Sequence, residues 1–359
     1  MRVGVVGCGG MGRHHLSVLK GLPNFEIAAV CDISPKAAQN AAESFQTKPY
    51  ADAGDMCDSE SLDLVAVATQ TRGHLEPSLA ALTRGVSVLC EKPIAIDLAE
   101  ADAMVEAAEK SGAKLAVHQQ NHVHPGILKG LELVESGAVG EVIVVRGRNK
   151  GGRKSGNEFM EMGTHIADMM MRFGGEPRWC AGVVMYENRL AQPQDVMEAK
   201  EMSPRDRDSG LVLGSRAAAD YEFDNGILGE IRFTDYAKTN NHNYGVDILG
   251  STGQLAVRTS GDLSESLWRL PRAMEGRPSE LSSWERIDLP NPRNPIETMY
   301  LEYAKALERG SDPPCDGVRG RWALEMIMAI YASHMEEGRR VPMPLKDRRH
   351  PLEKWRSTQ

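Results

Sequence analysis

The 359-residue chain lacks any apolar run approaching the roughly 20 residues a helix needs to cross a bilayer, which sets a helical membrane protein aside. It has no excess of positive charge: 42 Lys and Arg stand against 50 Asp and Glu, a formal net charge of −8. Nucleic acid is therefore not expected as the main partner. The cysteines, at positions 8, 31, 57, 90, 180 and 315, include no C-x-x-C pair, so neither a zinc site nor a redox dithiol is expected. There is no H-E-x-x-H, and His118, His122 and His124 have no carboxylate or cysteine arranged beside them in sequence, so no metal is expected either. The apolar stretch before Cys8 is too short for a signal h-region and reads as a first strand entering a glycine loop. Unpaired cysteines in and beside apolar strands fit a reducing, cytoplasmic setting. No internal repeat is visible.

What is present is ordinary globular composition over a length that suggests two domains. In the first 120 residues, short β-branched runs at Val3–Val6, Ile27–Cys31, Leu64–Ala68, Val86–Cys90 and Leu115–Val117 alternate with helix patterns near 11–20, 35–45, 74–84 and 97–110. Continuous rather than alternating apolar character points to strands buried on both faces of a parallel sheet. Pro35 after Ser34 suits a first helical position, and Asp97 suits an N-cap. A helix near 125–136 follows. Longer strand patterns then run at 139–146, 182–186, 217–223, 227–235, 246–249 and 254–257, with Asp224-Asn225-Gly226 as a hairpin turn. Helices near 295–309 and 317–337 come last, and the stretches 190–209 and 271–295 read as surface loops. The expected fold is α/β: an N-terminal doubly wound Rossmann domain over 1–121, then an α+β domain over 122–359 with a large, mainly antiparallel sheet, its last helices free to pack back on the first domain.

Gly7-Cys8-Gly9-Gly10-Met11-Gly12 is a G-x-G-x-x-G run after a strand and before a helix. The first glycine allows the tight turn, the second admits a pyrophosphate, and the third lets helix and strand approach. The helix N-terminus then offers N–H groups to phosphate. Asp32 ends the second strand 20 residues after Gly12, where a carboxylate bonds ribose hydroxyls and repels a 2′-phosphate. The cofactor expected is NAD rather than NADP.

In open α/β sheets the chemistry gathers beyond the carboxyl ends of the strands. Thr69 to His74 and Glu91-Lys92-Pro93 lie there. Together with the glycine loop, Gln120-Asn121 before Pro125, and Glu161-Met162-Gly163-Thr164-His165-Ile166-Ala167-Asp168, they give a chain that resembles the Gfo/Idh/MocA oxidoreductases over nearly its whole length. The resemblance implies a catalytic Lys92 and a cis Pro93. It also brings Thr69, His74, Glu91, Lys92 and Gln120 to the cofactor beside Gly7, Gly9, Gly10, Met11, Gly12 and Asp32. Two positions depart from the family: Glu161 stands where an aspartate is usual, and His122 where an arginine is frequent.

Glu161, His165, Asp168 and Arg172 are spaced i, i+4, i+7, i+11, which makes one polar stripe on one helix. Such a stripe is either a solvated ion-pair face or a site. Read as a site, His165 is the base that takes a hydroxyl proton, Lys92 steadies the developing alkoxide, and Glu161 orients His165. His122, Arg153, Asn157 and Asp168 are the candidate substrate contacts. Arg146, Arg148, Lys150, Arg153 and Lys154 form a glycine-punctuated basic run that reads as a solvated loop or a substrate cover. The activity expected is NAD-dependent oxidation of a secondary hydroxyl on a sugar, cyclitol or glycoside. A redox-neutral glycosidase working through a 3-keto intermediate and a non-catalytic NAD sensor stay open as alternatives. A homodimer or homotetramer through the open face of the second sheet is expected.

Overall fold

The computed structural model describes residues 1–151, 156–199, 208–234, 241–271, 283–289 and 293–357. Its first compact unit comprises 1–120, 203–210 and 296–321; the second comprises 121–202, 211–295 and 322–359.

The first unit holds a six-stranded parallel sheet: β1 (Arg2–Val6), β2 (Glu26–Cys31), β3 (Lys48–Tyr50), β4 (Leu64–Val67), β5 (Ser87–Cys90) and β6 (Leu115–Val117), in the order β3-β2-β1-β4-β5-β6. The helices between them are α1 (Gly10–Lys20), α2 (Pro35–Phe45), α3 (Ala53–Ser59), α4 (Leu75–Leu82) and α5 (Leu98–Ser111). Val3, Val5, Leu64, Val65 and Val88 are wholly enclosed. Each such side chain contributes roughly 1.5–3 kcal/mol by leaving water, which is why these strands read as unbroken apolar runs. The caps form as the sequence suggests. The Ser34 side chain accepts from Ala37 N with Pro35 following, and the Asp97 carboxylate accepts from Glu100 N at 2.9 Å. Strand order reverses between β1 and β4, so the crevice beyond their carboxyl ends is the switch point where ligands sit in such sheets.

The second unit is built on a ten-stranded sheet. In chain order its secondary structure comprises α6 (Pro125–Glu135), β7 (Val142–Arg148), α7 (Asn157–Glu161), α8 (Gly163–Gly174), β8 (Pro177–Tyr186), β9 (Arg189–Leu190), β10 (Val196–Glu198), β11 (Leu211–Leu213), β12 (Arg216–Phe223), β13 (Leu228–Phe233), β14 (Gly245–Gly250), β15 (Gln254–Arg258), β16 (Leu267–Leu270) and β17 (Glu285–Arg286). After them come α9 (Pro295–Arg309), which from residue 296 belongs to the first unit, α10 (Gly317–Met335), which passes from the first unit to the second after Arg321, β18 (Val341–Pro342) and α11 (Pro351–Arg356). The sheet runs β17-β16-β15-β14-β7-β13-β12-β8-β18 with β9 on β8, while β10 and β11 form a separate pair. Pairing is antiparallel except between β7 and β13. The stretch expected as a loop from 190 thus contributes the short β10.

Helix α8 lies on β7, and nearly all of its residues are buried. Gly147 of β7 permits this approach: a Cβ there would collide with Ile166 and stand 2.8 Å from the Met170 sulfur. Gly163 opens the helix where a Cβ would lie 2.7 Å from Ile327 and 2.9 Å from Phe233. The glycine inside Glu161-Met162-Gly163 is therefore a packing requirement that seats the polar residues around it.

Candidate functional site

In the first unit, the glycine loop sorts its own residues. Gly7 has φ +93° and its Cβ would stand 2.8 Å from the Ala68 carbonyl and the Thr69 nitrogen; a Cβ on Gly12 would collide with the Gly7 carbonyl. The protein itself demands glycine at both. At Gly9 and Gly10, by contrast, an added Cβ meets nothing within 4 Å. The open space lies at the first turn of α1, which no side chain caps and no acidic residue enters. Amides at such a turn favour an anion. Asp32 is already anchored: Cys8 N donates to one carboxylate oxygen at 2.7 Å and Ser34 N to the other at 2.8 Å. The residues present fit a dinucleotide, with the pyrophosphate over Gly9 and the ribose at Asp32.

The turn carrying Lys92 is held from below. The Lys92–Pro93 peptide is cis, and Lys92 is largely buried. His74 is fully enclosed, with Nδ1 2.9 Å from the Pro93 carbonyl and Nε2 3.3 Å from the Thr69 carbonyl. His74 thus braces the loops around the crevice from inside. Thr69 and Gln120 are partly exposed. Glu91 is buried among His15, His118 and Tyr300, an association that sequence spacing did not suggest.

In the second unit, the expected single polar stripe is divided. Glu161 ends α7 and His165 and Asp168 lie on α8, with Met162 between the two helices. The solvated-face reading is excluded: Glu161 and His165 are each 3% exposed and Asp168 is wholly enclosed. Asp168 receives the His122 Nδ1–H at 3.0 Å, so the carboxylate fixes the ring and leaves Nε2 as the outward nitrogen. Two neighbours were not foreseen. Asn121 donates to the Tyr244 hydroxyl at 3.3 Å, and the Lys150 ammonium stands 5.4 Å from the Tyr244 ring centre. Burial, then the charge of Glu158, raises the Tyr244 hydroxyl well above its ordinary pKa, so it is a neutral donor. Nothing in the sequence around Tyr244 marks it, because it reaches this cluster only through sheet pairing.

The basic run divides as well. Arg146 and Arg148 belong to β7 rather than to a loop, bonded to Glu230 at 2.8 Å and Asp247 at 2.7 Å. Arg153 and Lys154 lie outside the described residues; Asn157 begins α7, and its side chain lies outside them too. The six cysteines are buried, and burial pushes the Cys8 thiol up to about 11 and Cys31 to about 12, which leaves them protonated and unreactive. Among the described residues no helix is long and apolar enough to cross a membrane.

Comparison with known proteins matches the chain in two parts. Residues 1–119 match a family model described as the NAD-binding Rossmann fold of an oxidoreductase family, and residues 132–343 match its C-terminal alpha/beta domain. A D-apiose dehydrogenase of Paraburkholderia graminis is 35% identical over 137 residues, 38% of this chain and 36% of that protein. The alignment therefore spans little more than a third of that relative. A myo-inositol 2-dehydrogenase of Thermotoga maritima is 26% identical over 96% of this chain and 98% of its own. Among solved structures, levoglucosan dehydrogenase with NADH and levoglucosan has a TM-score of 0.78 at 19% identity, covering 96% of this chain and 99% of that one, a likeness of fold.

Proposed function

Because the chain belongs to the Gfo/Idh/MocA oxidoreductase family, we propose that it oxidises a secondary hydroxyl of a sugar, cyclitol or glycoside with NAD. The observation that carries the reading is the glycine loop, where the protein demands glycine at 7 and 12 but leaves open space at 9 and 10 over an uncapped helix end. The names of the relatives supply the substrate class, since those cited act on a pentose and a cyclitol by name.

Gly7, Gly9, Gly10, Met11 and Gly12 would hold the pyrophosphate, Asp32 the ribose, and Thr69 and Gln120 would border the ring. When bound, NAD supplies the acceptor for the hydride that leaves the carbinol carbon. The remaining work belongs to the chain. Lys92 donates to the carbinol oxygen and steadies its growing negative charge. His165 takes the hydroxyl proton, and Glu161 orients its ring. His122, held by Asp168, and Asn121 with Tyr244 offer a hydrogen-bonding lining that suits a polyol.

The direct test is a screen of pentoses, hexoses, cyclitols and nitrophenyl glycosides that follows both absorbance at 340 nm and aglycone release. Stoichiometric NADH is expected from a free sugar or cyclitol. Glycoside cleavage without NADH accumulation would replace this reading with redox-neutral hydrolysis.

Asp32 sets the cofactor preference. Losing its carboxylate should weaken NAD binding on the order of tenfold, the effect of one or two charge-assisted hydrogen bonds. Asp32→Ala should at the same time bring the NAD and NADP affinities together. Tighter binding of NADP than of NAD by the wild-type protein, measured by fluorescence titration, would refute the assignment.

A further inference from the structure

We infer that Glu91, clamped between His15 and His118, is a positioning residue that fixes the backbone carrying Lys92 and ties it to the helix behind the glycine loop. The inference rests on the reading above in giving Lys92 a part in the reaction.

Glu91 follows β5 directly and precedes Lys92. Its side chain is 2% exposed. One carboxylate oxygen faces two imidazoles, His118 Nδ1 at 2.8 Å and His15 Nε2 at 3.0 Å, and the other faces the Lys92 backbone N–H at 3.3 Å. Burial pushes the Glu91 carboxyl up, but His118 and then His15 outweigh it and hold it well below the usual carboxylate range. An ionised carboxylate only accepts, so both facing ring nitrogens carry protons. With Nε2–H turned to Glu91, His15 presents Nδ1 to the Tyr300 hydroxyl 2.6 Å away. Tautomers and donors are thus consistent along the chain Tyr300, His15, Glu91, His118. The rings also lock one another edge to face, with His15 and His118 centres 4.7 Å apart and His15 and Tyr300 centres 5.7 Å apart.

The four residues come from four places. His15 is on α1, Glu91 ends β5, His118 follows β6 and Tyr300 is on α9. Stability alone does not require a charge here, since well-packed apolar residues serve as well or better in most buried sites. What the carboxylate adds is direction. With one oxygen bound to two rings and the other to the next amide, the side chain has one available rotation, and the main chain entering Lys92 follows it. The same donor set, His15, Glu91 and His118, lies within 4.8 Å of one another and is of a kind that ligates metals. Metal binding would need ring lone pairs where the hydrogen bonds place protons.

The test compares Glu91→Gln and the milder Tyr300→Phe with wild type in four measurements: kcat, KM for the best polyol, NADH dissociation constant and melting temperature. Glu91→Gln should lower kcat at least 30-fold and raise the primary deuterium isotope effect, with KM and NADH affinity within threefold. Tyr300→Phe, which frees His15 but keeps every ring, should lower kcat three- to tenfold. Unchanged kcat in both variants overturns the inference, and so does a loss of NADH affinity in proportion to kcat. A readout that needs no substrate separates this from failure of the functional reading. Amine acylation at Lys92, followed by peptide mass spectrometry, should change at least threefold in Glu91→Gln while Lys36 and Lys110 react as before. Equal Lys92 reactivity in both proteins rejects the positioning role even if no substrate is ever found. A stoichiometric metal in the purified protein that is lost in His118→Asn would reject it too.

Discussion

Replacing either Lys92 or His165 with alanine is expected to lower turnover about 10²–10⁴-fold, the range for groups that move or steady a proton in the transition state. NADH binding should persist, because Gly7 to Gly12 and Asp32 carry most of it. The double variant should lose less than the product of the two single losses, since groups that act as one unit are not additive. Glu161→Gln should cost less than His165→Ala if the carboxylate only orients the ring. Steady-state kinetics with NADH titration on the same preparations decides this. A His165→Ala enzyme with wild-type kcat would remove the base assignment, and His122, whose Nδ1 lies 3.0 Å from Asp168, would be next in line.

Alanine at two glycines only three residues apart should have opposite consequences. Gly12→Ala drives a methyl into the Gly7 carbonyl, and backbone cannot move aside as a flexible side chain can. Overpacking of this kind costs about 3 kcal/mol or more, a fall in Tm of about 6–12 °C for a unit of this size. Gly9→Ala meets nothing in the protein. It should melt within about 1 °C of wild type yet bind NADH on the order of 10–100-fold more weakly, because the methyl occupies the approach of the pyrophosphate. Differential scanning calorimetry and fluorescence titration give the two axes. Undiminished NADH affinity in Gly9→Ala would mean that the open space above α1 is not where the phosphates lie.

The first unit was largely legible because its signals are local. The runs at 64–67 and 115–117, the Ser34-Pro35 start of α2 and the Asp97 cap each depend on residues within one element. β3 was missed for a physical reason: Lys48-Pro49-Tyr50 is a three-residue edge strand, and neither its length nor its proline reads as a strand. The polar stripe was legible as a spacing but not as an environment. Folding buries Glu161, His165 and Asp168, which no spacing reveals. Arg146 and Arg148 misled because a basic run looks the same whether it is solvated or paired across a sheet with Glu230 and Asp247. His15, His118 and Tyr300 gave no warning at all, since 285 residues separate the first from the last and each alone reads as an ordinary core residue.

That separation bears on how the chain is made. Residues 296–321 complete the unit that residues 1–120 begin, and Tyr303 of α9 donates to the Val88 carbonyl at 2.9 Å. A ribosome working at about 5–20 residues per second takes on the order of 15–60 s to travel from His15 to Tyr300. Throughout that interval the nascent N-terminal sheet lacks α9, and His15 lacks the Tyr300 hydroxyl. A protein cut after residue 121 would be left permanently in that condition. Residues 1–121 alone therefore lack the segment 296–321 that belongs to the same compact unit.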